Sequence, residues 1–387
     1  MLEEFTRWAE IDLDAIAHNV TAIKRLVGER VKVMAVVKAN AYGHGLVPVA
    51  QVALQNGASW LAVTRVSEGM TLRCAGIRAP ILVMGYSPPA SVSKAVEYGL
   101  TLTLSSLDQA RALAERATRA GKTVPVHLKV DTGMGRFGLL PGETVEFAQA
   151  IQQLPGLILE GVYTHLAVAD SADQGYTRRQ LRSFQEVTAA LEREGIRIPV
   201  RHAANSAATL AMPESHLDAV RAGIAIYGLR PSEEVEPTVP LRPALTLKSR
   251  VGRVSTLPAG SSISYGCTYV TQRPTRLALV MVGYGDGYMR LASNRGVVLI
   301  HGQRAPIRGR ICMDQFVVEV SHIEHVSLDD EVVLIGRQGD KVLSAEEIAR
   351  WSETINYEVV TQLSPHVPRV YMRGRHVEQV DIGNHER

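Results

Sequence analysis

The chain has 387 residues, a formal net charge of +3 and 46% hydrophobic residues, with acidic and basic residues interspersed along it. This length predicts one large domain or two ordinary ones, and the absence of a basic stripe argues against a nucleic-acid partner. No apolar run is long enough to span a membrane, and the acidic, then amphipathic N-terminus does not read as a signal peptide. The cysteines, only three and widely spaced, indicate neither a disulfide framework nor a metal site, so we expect a cytoplasmic protein without metal.

Eight apolar, β-branched runs recur through roughly the first 230 residues, and segments with helical periodicity separate them. Before the first run, Ile16, Val20, Ile23 and Val27 share one face of a predicted helix that Gly28 ends. This alternation predicts an α/β fold with an N-terminal (β/α)8 TIM-type barrel, and a doubly wound open sheet is the alternative. The eight predicted strands are Val31–Val37, Trp60–Thr64, Pro80–Met84, Leu100–Leu104, Val124–Val130, Leu157–Thr164, Val200–Ala204 and Asp218–Ala222.

Two of the intervening helices carry clear end signals. Ser106 and Gln109 predict a capping box at the start of a helix that ends at Gly121. A second helix ends at Gly195. Its apolar face is formed by Leu181, Phe184, Val187 and Leu191.

The pattern changes after Pro243, where short apolar runs separated by turn residues predict a mostly antiparallel β domain. One short helix there begins with a predicted capping box at Ser344 and Glu347. We therefore predict a barrel over residues 12–240 and a C-terminal β domain over 241–387, on which residues 1–11 can pack. The predicted strands of the β domain are Leu245–Val254, Leu277–Val282, Val297–Ile300, Phe316–Val320 and Val332–Ile335.

The first barrel strand ends on a lysine, in the stretch VMAVVKANAYGHG. Barrel enzymes carry their chemistry at the C-terminal ends of the strands, so Lys38 is expected to project into the mouth of the barrel. Burial there lowers the pKa of a lysine and frees its amine as a nucleophile or base. The competing interpretation is a lysine that simply reaches the surface.

Other strand ends favour the first interpretation, because polar residues follow several of them. The fifth strand leads into Lys129, Asp131 and Arg136, the sixth into His165, the seventh into Asn205 and Ser206, and the eighth into Arg221 and Gly223. The loops after the last two strands of such barrels often bind phosphate through backbone N–H groups, a function that suits Ser206 and the amides of Gly223 and Ile224. An amine opposite a phosphate site predicts pyridoxal 5'-phosphate (PLP) as cofactor.

The sequence resembles the bacterial alanine racemases, PLP-dependent amino-acid racemases of fold type III. The similarity runs from RWAEIDLDAIAHN to INYEVVTQLSPHVPRVY and includes VVKANAYGHG, KVDTGMGRFG, YTHLAVAD, ANSAA, RAGIAIYG, SYGCTY, GYGDGY and RICMDQ. It implies interconversion of L-alanine and D-alanine in a homodimer with shared active sites, supplying D-alanine for peptidoglycan. Its substrate is a small molecule.

The resemblance implies a two-base mechanism, which moves a proton between opposite faces of the substrate. Lys38 is the residue that attaches PLP and one base, and Tyr265 from the partner subunit is the other. Because the ordinary pKa of tyrosine is about 10, a base of this type needs support at neutral pH. The resemblance implies that His165 and Arg221 provide it, and that Arg221 also faces the pyridine nitrogen and keeps it unprotonated.

The resemblance also assigns groups that bind the cofactor and the substrate. Around PLP it places Tyr42, Asn205, Ser206, Arg221, Gly223, Ile224 and Tyr357. At the substrate it places Arg136 and the backbone amide of Met313, with Tyr284 and Asp314 narrowing the entry. Lys129 is often carbamylated in the family, which converts a cation beside Arg136 into an anion. His44 and His202 we interpret as structural.

Two positions depart from the family pattern, Leu166 after the histidine of YTH and Cys267 in SYGCTY, and both leave fine substrate preference open. Serine or broad-specificity racemisation is one alternative function, because serine is only one hydroxyl larger than alanine. A decarboxylase of basic amino acids and a barrel-only PLP-binding protein are two further alternatives. Such decarboxylases lack the SYGxTY and RICMDQ pair of motifs, and barrel-only PLP-binding proteins lack a β domain.

Overall fold

A computed structural model describes residues 2–383 of the chain. Met1 and residues 384–387, which the predicted domain boundaries include, lie outside the described residues. The chain divides into two compact units. The barrel unit comprises Ala15–Ala41 and Leu46–Arg242, and the β unit comprises residues 2–14, Tyr42–Gly45 and residues 243–383. Sequence reasoning did not anticipate that the short segment Tyr42–Gly45 groups with the β unit.

The barrel unit contains one sheet of eight parallel strands, which confirms the predicted barrel and rules out the open doubly wound sheet. Its strand order is β8-β7-β6-β5-β4-β3-β2-β9. Backbone hydrogen bonds from Asp218 to Arg201 and from Arg221 to Ala204 bridge the remaining gap between β8 and β9. The strands are β2 (Lys32–Val36), β3 (Trp60–Val63), β4 (Ile81–Val83), β5 (Thr101–Leu104), β6 (Val124–Lys129), β7 (Leu157–Tyr163), β8 (Val200–His202) and β9 (Ala219–Ala222).

Helices cover the outside of this sheet, because their apolar faces bury against strands that are themselves apolar on both sides. The helix before the first barrel strand is confirmed and ends before Gly28. The capping box at Ser106 and Gln109 is wrong, because the Gln109 side chain is buried and donates to the Ser87 carbonyl instead. The helices are α1 (Leu13–Val27), α3 (Leu46–Gln55), α4 (Val66–Cys74), α5 (Pro89–Glu97), α6 (Leu107–Arg119), α7 (Thr144–Gln152), α8 (Gly175–Arg193) and α9 (Ser206–Ala211).

The β unit is built on a ten-stranded, mostly antiparallel sheet, as predicted. Strand β1 pairs antiparallel with β10 and parallel with β19, so the N-terminal segment belongs to this sheet. The capping box at Ser344 and Glu347 is confirmed at the start of α10. The elements are β1 (Arg7–Asp12), β10 (Leu245–Leu257), β11 (Ser262–Ile263), β12 (Tyr269–Val270), β13 (Thr275–Val280), β14 (Val297–Ile300), β15 (Gln303–Arg308), β16 (Phe316–Glu319), β17 (Glu331–Gln338), β18 (Lys341–Leu343), β19 (Arg369–Arg373), β20 (His376–Asp381), α10 (Ala345–Trp351) and α11 (Asn356–Thr361).

A left-handed helical turn, α2 (Lys38–Tyr42), follows β2. Ala39, Asn40, Ala41 and Tyr42 all have φ angles of 51° or 52°. A left-handed helix costs about 1–2 kcal/mol per residue for L-amino acids, so the surroundings must hold it. Within the barrel unit, the Ala39 N–H donates to Glu68 Oε1 at 2.7 Å, and the Leu46 N–H donates to Asn40 Oδ1 at 2.9 Å.

The turn continues into Gly43, which lies in the β unit. Gly43 has a φ of +84°, and a β-carbon there would come within 2.2 Å of the Val360 carbonyl oxygen. Only glycine fits both the backbone conformation and the close approach. Across residues 2–383, no helix combines the length and apolar character needed to cross a membrane.

Candidate active site

The C-terminal strand ends of the barrel unit surround a cavity of about 450 Å³, a volume typical of small-molecule sites. Lys38, Lys129, Arg136, His165 and Arg221 all line this cavity. Lys38 follows β2, Lys129 ends β6, and Arg221 lies in β9. The structure therefore brings together five side chains that sequence reasoning selected from four different strand ends.

The cavity is strongly electropositive. Four of its lining side chains are basic, and there is no carboxylate among the described residues that line it. Burial, and then Arg136, lower the pKa of Lys38, while Glu68 opposes them. Burial, with Arg221 and Arg136, lowers the pKa of Lys129 to about 7 against the opposing effect of Asp131. Such a site favours an anionic ligand and holds amines that are more readily deprotonated than ordinary lysines.

Arg221 is buried and rigidly held. Its guanidinium donates to His202 Nδ1 at 2.8 Å and to the carbonyl oxygens of Thr164, His202 and Ala203 at 2.8, 3.2 and 2.9 Å. It also lies 3.4 Å from His165 Nδ1 and packs over the Tyr163 ring at 5.1 Å. Burial lowers its pKa to about 10, so it remains a cation at neutral pH.

The loop that presents Arg136 is organised by one carboxylate. Asp131 Oδ1 accepts from the N–H groups of Gly133, Met134 and Gly135, and Oδ2 accepts from that of Arg136. Partial burial raises the pKa of Asp131, but these four hydrogen bonds outweigh it and bring the pKa to about 2. The Asp131 carboxylate therefore stays ionised and fixes the backbone from which Arg136 projects.

The groups predicted to bind phosphate within the barrel unit come together at the ends of β8 and β9. Ser206 begins α9, and its hydroxyl accepts from the backbone N–H groups of Gly223 at 2.8 Å and Ala225 at 3.4 Å. Asn205 caps α9 by accepting from the Ala208 N–H. Ile224 follows Gly223 and opens a 3-10 turn.

These four predicted phosphate-site residues do not appear among the described residues that line the cavity, and neither do the predicted site residues that lie in the β unit. The rings of Tyr42 and Tyr357 lie with centroids 6.3 Å apart. Tyr284 and Met313 belong to neighbouring backbone segments, joined by hydrogen bonds from Tyr284 N–H to the Cys312 carbonyl and from Gly285 N–H to the Met313 carbonyl. These bonds bring Tyr284, predicted at the substrate entry, next to the segment that carries Met313 and Asp314.

Three of these β-unit side chains are unusually exposed for their apolar character. Tyr265 is 72% exposed, Met313 54% and Tyr284 43%, and Asp314 is exposed as well. Tyr265 stands between Ser264 and Gly266, which both have positive φ angles. Residues in such strained turns concentrate at functional sites.

Sequence reasoning missed several residues that organise the cavity. His202, which we interpreted as structural, accepts a hydrogen bond from Arg221 and stacks on Tyr163 with ring centroids 4.6 Å apart. Glu68 accepts from the N–H groups of Ala39, Thr64 and Arg65 and so ties the end of β2 to the end of β3. No signal in a single sequence connects a glutamate on α4 with the lysine after β2.

Within the part of the chain that the structure describes, no group of three or more His, Cys, Asp or Glu side chains is arranged to hold a metal ion. The arrangement instead offers a buried amine, a fixed guanidinium and an imidazole around one electropositive cavity.

Comparison with known proteins follows the same two units. The family model described as "Alanine racemase, N-terminal domain" matches residues 11–231, and the one described as "Alanine racemase, C-terminal domain" matches residues 244–371. An alanine racemase from Desulfosudis oleivorans is 51% identical over 383 residues, covering 96% of this chain and 98% of the relative.

Solved structures agree with these matches. The crystal structure of alanine racemase from Bacillus anthracis with bound L-Ala-P has a TM-score of 0.93 and 42% identity, covering 97% of each chain. Histidine racemase from Leuconostoc mesenteroides has a TM-score of 0.88 and 30% identity, covering 96% of this chain and 99% of that one. Similarity thus extends over both units and includes racemases with different substrates.

Proposed function

The chain belongs to the alanine racemase family and is therefore an amino-acid isomerase, and on that premise we propose that it interconverts L-alanine and D-alanine with PLP as cofactor. We assign the two bases to Lys38 and to Tyr265 of the partner subunit. The observation that carries the proposal is the half-buried Lys38 amine, which lines the same cavity as the fixed guanidinium of Arg221.

The cavity suits PLP in volume and in charge. Its basic lining matches a phosphorylated ligand, and burial favours the neutral form of the Lys38 amine that must attach to an aldehyde. When bound, PLP supplies that aldehyde and an electron-withdrawing ring that stabilises negative charge at the substrate Cα. Ser206, Asn205 and the backbone of Gly223 and Ile224 would hold it within the barrel unit, and the family resemblance adds Tyr42 and Tyr357 as predicted ligands.

Racemisation requires a proton to leave one face of Cα and another to arrive on the opposite face. Lys38 and Tyr265 would each serve as base in one direction and as acid in the other. Arg221 cannot accept a hydrogen bond, so the nitrogen of His165 that faces it is unprotonated and the other carries the proton. That N–H can donate to a phenolate oxygen, which makes a tyrosine base more accessible at neutral pH.

The substrate carboxylate would meet Arg136, whose planar guanidinium matches a carboxylate. Lys129 would assist as a carbamate. Its amine attacks carbon dioxide, a C–N bond forms, one carbon–oxygen electron pair moves to oxygen, and an N–H proton is released to water. The low pKa of Lys129 supports this reaction because only the neutral amine attacks.

A homodimer would complete the site. Exposed Tyr265 and Met313 are the side chains that we expect a second subunit to cover. Each subunit would contribute the Tyr265 hydroxyl and the Met313 backbone amide to the cavity of the other. We expect the enzyme in the cytoplasm, where its D-alanine would serve peptidoglycan synthesis.

Substrate choice is the point on which relatives differ. Similarity to histidine racemase at 30% identity makes a broader racemase the second candidate, and serine remains the smallest step away from alanine. The higher identity to alanine racemases favours alanine, and so do Tyr284 and Tyr357, which we expect to narrow the entry. The decarboxylase and barrel-only alternatives are not retained, because the C-terminal racemase domain is matched as well.

The first test is racemisation by the purified protein with PLP, using L-alanine, L-serine, L-histidine, L-lysine and L-arginine separately, read by chiral chromatography. Fast formation of D-alanine with little else supports the proposal. Faster conversion of another amino acid overturns the assignment of Tyr284 and Tyr357 as a narrow gate. Lys38→Ala should lose both the visible absorbance of lysine-bound PLP and the activity, and retained absorbance would contradict attachment at Lys38.

A further inference from the structure

A chain of four polar side chains runs behind the cavity, from Arg221 to the side of the barrel. Arg221 Nη1 lies 2.8 Å from His202 Nδ1, and His202 Nε2 lies 2.9 Å from His127 Nδ1. His127 Nε2 in turn lies 3.4 Å from Glu160 Oε2. Neither of these last two atoms has a partner in hydrogen-bond geometry among residues 2–383, so the contact between them is electrostatic. We call Arg221, His202, His127 and Glu160 the relay.

The direction of both hydrogen bonds in the relay, Arg221 to His202 and His202 to His127, follows from one fact. A guanidinium has donors only, so His202 Nδ1 must be the acceptor and its proton sits on Nε2. His202 therefore donates to His127 Nδ1, and the proton of His127 sits on Nε2, facing Glu160. Burial lowers the pKa of both imidazoles, which keeps them neutral as this order requires.

The barrel makes room for the relay at the cost of regular strand geometry. His127 pairs with Gly161 on β7, and a β-carbon on Gly161 would come within 2.4 Å of the His127 ring. The β6–β7 register shifts between Val126 and His127. His127 and His202 are both fully buried.

Stability alone does not account for this arrangement. Replacing buried polar partners with apolar groups of similar shape is often neutral or stabilising, so an all-apolar barrel interior would serve the fold equally well. The relay instead helps to balance the positive charge of Arg221. Among the described residues this guanidinium makes no ion pair with a carboxylate, and its acceptors are carbonyl oxygens and imidazole nitrogens. The carboxylate that the relay reaches is that of Glu160, which two imidazoles separate from Arg221.

We propose that His127 and Glu160 are positioning residues for the reaction, which orient the Arg221 guanidinium and balance its charge through His202. The proposal rests on the proposed function, in which Arg221 faces the bound cofactor. Because Glu160 acts through two polarised imidazoles instead of a direct ion pair, Arg221 keeps a net positive character toward the cavity while its orientation stays fixed from behind.

The predicted tautomers of His127 and His202 are tested by nitrogen NMR on the full-length enzyme that carries ¹⁵N-labelled histidine. The signals of the two rings are assigned with the variants His127→Phe and His202→Phe. The expected result is a protonated Nε2 and an unprotonated Nδ1 on both His127 and His202. Protonation of Nδ1 on either ring would reverse the predicted direction and overturn the proposal. This experiment does not depend on racemase activity, so its outcome separates failure of the relay from failure of the proposed function.

The effect on catalysis is tested with Glu160→Gln, which keeps an acceptor for His127 and removes the charge. We expect kcat for alanine to fall about 3- to 10-fold with KM and melting temperature nearly unchanged. Glu192→Gln is the matched control, because it removes an exposed carboxylate from an ion pair with Arg201 on the same unit and should leave kcat unchanged. An unaltered kcat in Glu160→Gln would overturn the role of the charge.

A double-mutant cycle tests whether the two residues act through one path. If they do, His127→Phe with Glu160→Gln should be no slower than His127→Phe alone, because the relay is already broken. Fully additive losses would show that Glu160 acts independently of His127 and would overturn the proposal.

Discussion

Lys129 shows how strongly the cavity alters a single residue. A lysine beside two guanidinium groups would be unfavourable as a cation, and its pKa of about 7 reflects burial and those neighbours. Two changes would remove the repulsion between the Lys129 ammonium and the neighbouring guanidinium groups. The amine can lose its proton, or it can be converted to an anionic carbamate. Both are accessible at neutral pH.

Carbamylation of Lys129 is the first prediction at this scale. In ¹³C-bicarbonate we expect a protein-bound carbamate signal that grows as pH rises through about 7, where the Lys129 amine loses its proton. Carbon-13 NMR measures it directly. The signal should be absent from Lys129→Gln and present in Lys122→Gln, an exposed lysine on the same unit. A signal that persists in Lys129→Gln would assign the carbamate elsewhere.

Asp286 carries a second prediction, which concerns stability. Asp286 is almost fully buried in the β unit, where it lies 2.5 Å from Arg7 and 2.8 Å from His366 and accepts from the Gly283 N–H. Asp286→Ala should lower the free energy of unfolding by about 3–5 kcal/mol. The substitution would leave the Arg7 guanidinium without its carboxylate and the Gly283 N–H without its acceptor. Chemical denaturation measures it. Asp314→Ala, at an exposed carboxylate, is the control, and an equal effect in both variants would contradict the reasoning.

Among the secondary-structure elements, the left-handed turn after β2 has the most direct bearing on chemistry. Its conformation is unfavourable for each of its L-residues, and Glu68 holds its first N–H while also binding the end of β3. The turn thus connects the position of Lys38 to a glutamate on a different helix.

Glu68→Ala should therefore displace Lys38 and lower kcat/KM for alanine about 10-fold or more, since small shifts of a reacting group are costly. Slower appearance of the visible absorbance on adding PLP to the PLP-free protein would report the same displacement. Glu97→Ala removes a glutamate that pairs with Lys94 on the surface and serves as control. Wild-type rates of PLP attachment in Glu68→Ala would refute the positioning role.

This element also marks where sequence reasoning stops. The barrel strands were predictable because parallel strands buried on both faces read as continuous apolar runs, and Lys38, Lys129 and Arg221 followed from their places at strand ends. The stretch KANAY, in contrast, contains nothing that disfavours a right-handed turn, and its hand is imposed by partners distant in sequence. The relay could not be predicted for the same reason, because His127, Glu160 and His202 lie on three different strands, β6, β7 and β8.

Weak periodicity explains the strands that were missed in the β unit. Strand β20 is mostly exposed and contains charged and polar residues at successive positions, so no alternation reveals it. Strand β1 carries acidic residues and leads directly into α1, and its partners β10 and β19 are more than two hundred residues away. Pairing of this kind is decided by tertiary structure alone.

At the scale of the whole molecule, the proposed dimer makes a quantitative prediction. Lys38→Ala and Tyr265→Phe should each be nearly inactive alone. If the site combines Lys38 of one subunit with Tyr265 of the other, a heterodimer has one intact site and one doubly defective site. When equal amounts of the two variants exchange subunits at random, about half of the dimers are heterodimers, each with one intact site of two. The mixture should therefore regain about a quarter of the wild-type activity.

Subunit exchange must be verified in the same mixture, for example by native mass spectrometry of differently tagged chains. Exchange without recovery of activity would exclude a shared site. Activity in Tyr265→Phe alone, close to that of the unaltered enzyme, would remove the tyrosine from the mechanism.

The grouping of Tyr42–Gly45 with the β unit has a consequence for biosynthesis. Gly43 accepts a hydrogen bond from Arg369 and lies against Val360, so its partners are synthesised more than three hundred residues after it. A ribosome must translate residues 360–369 before this segment can acquire its native contacts. A nascent or truncated chain that lacks residues 360–369 therefore lacks the contacts of Gly43, and we expect competence for cofactor capture to arise only after those residues have been made.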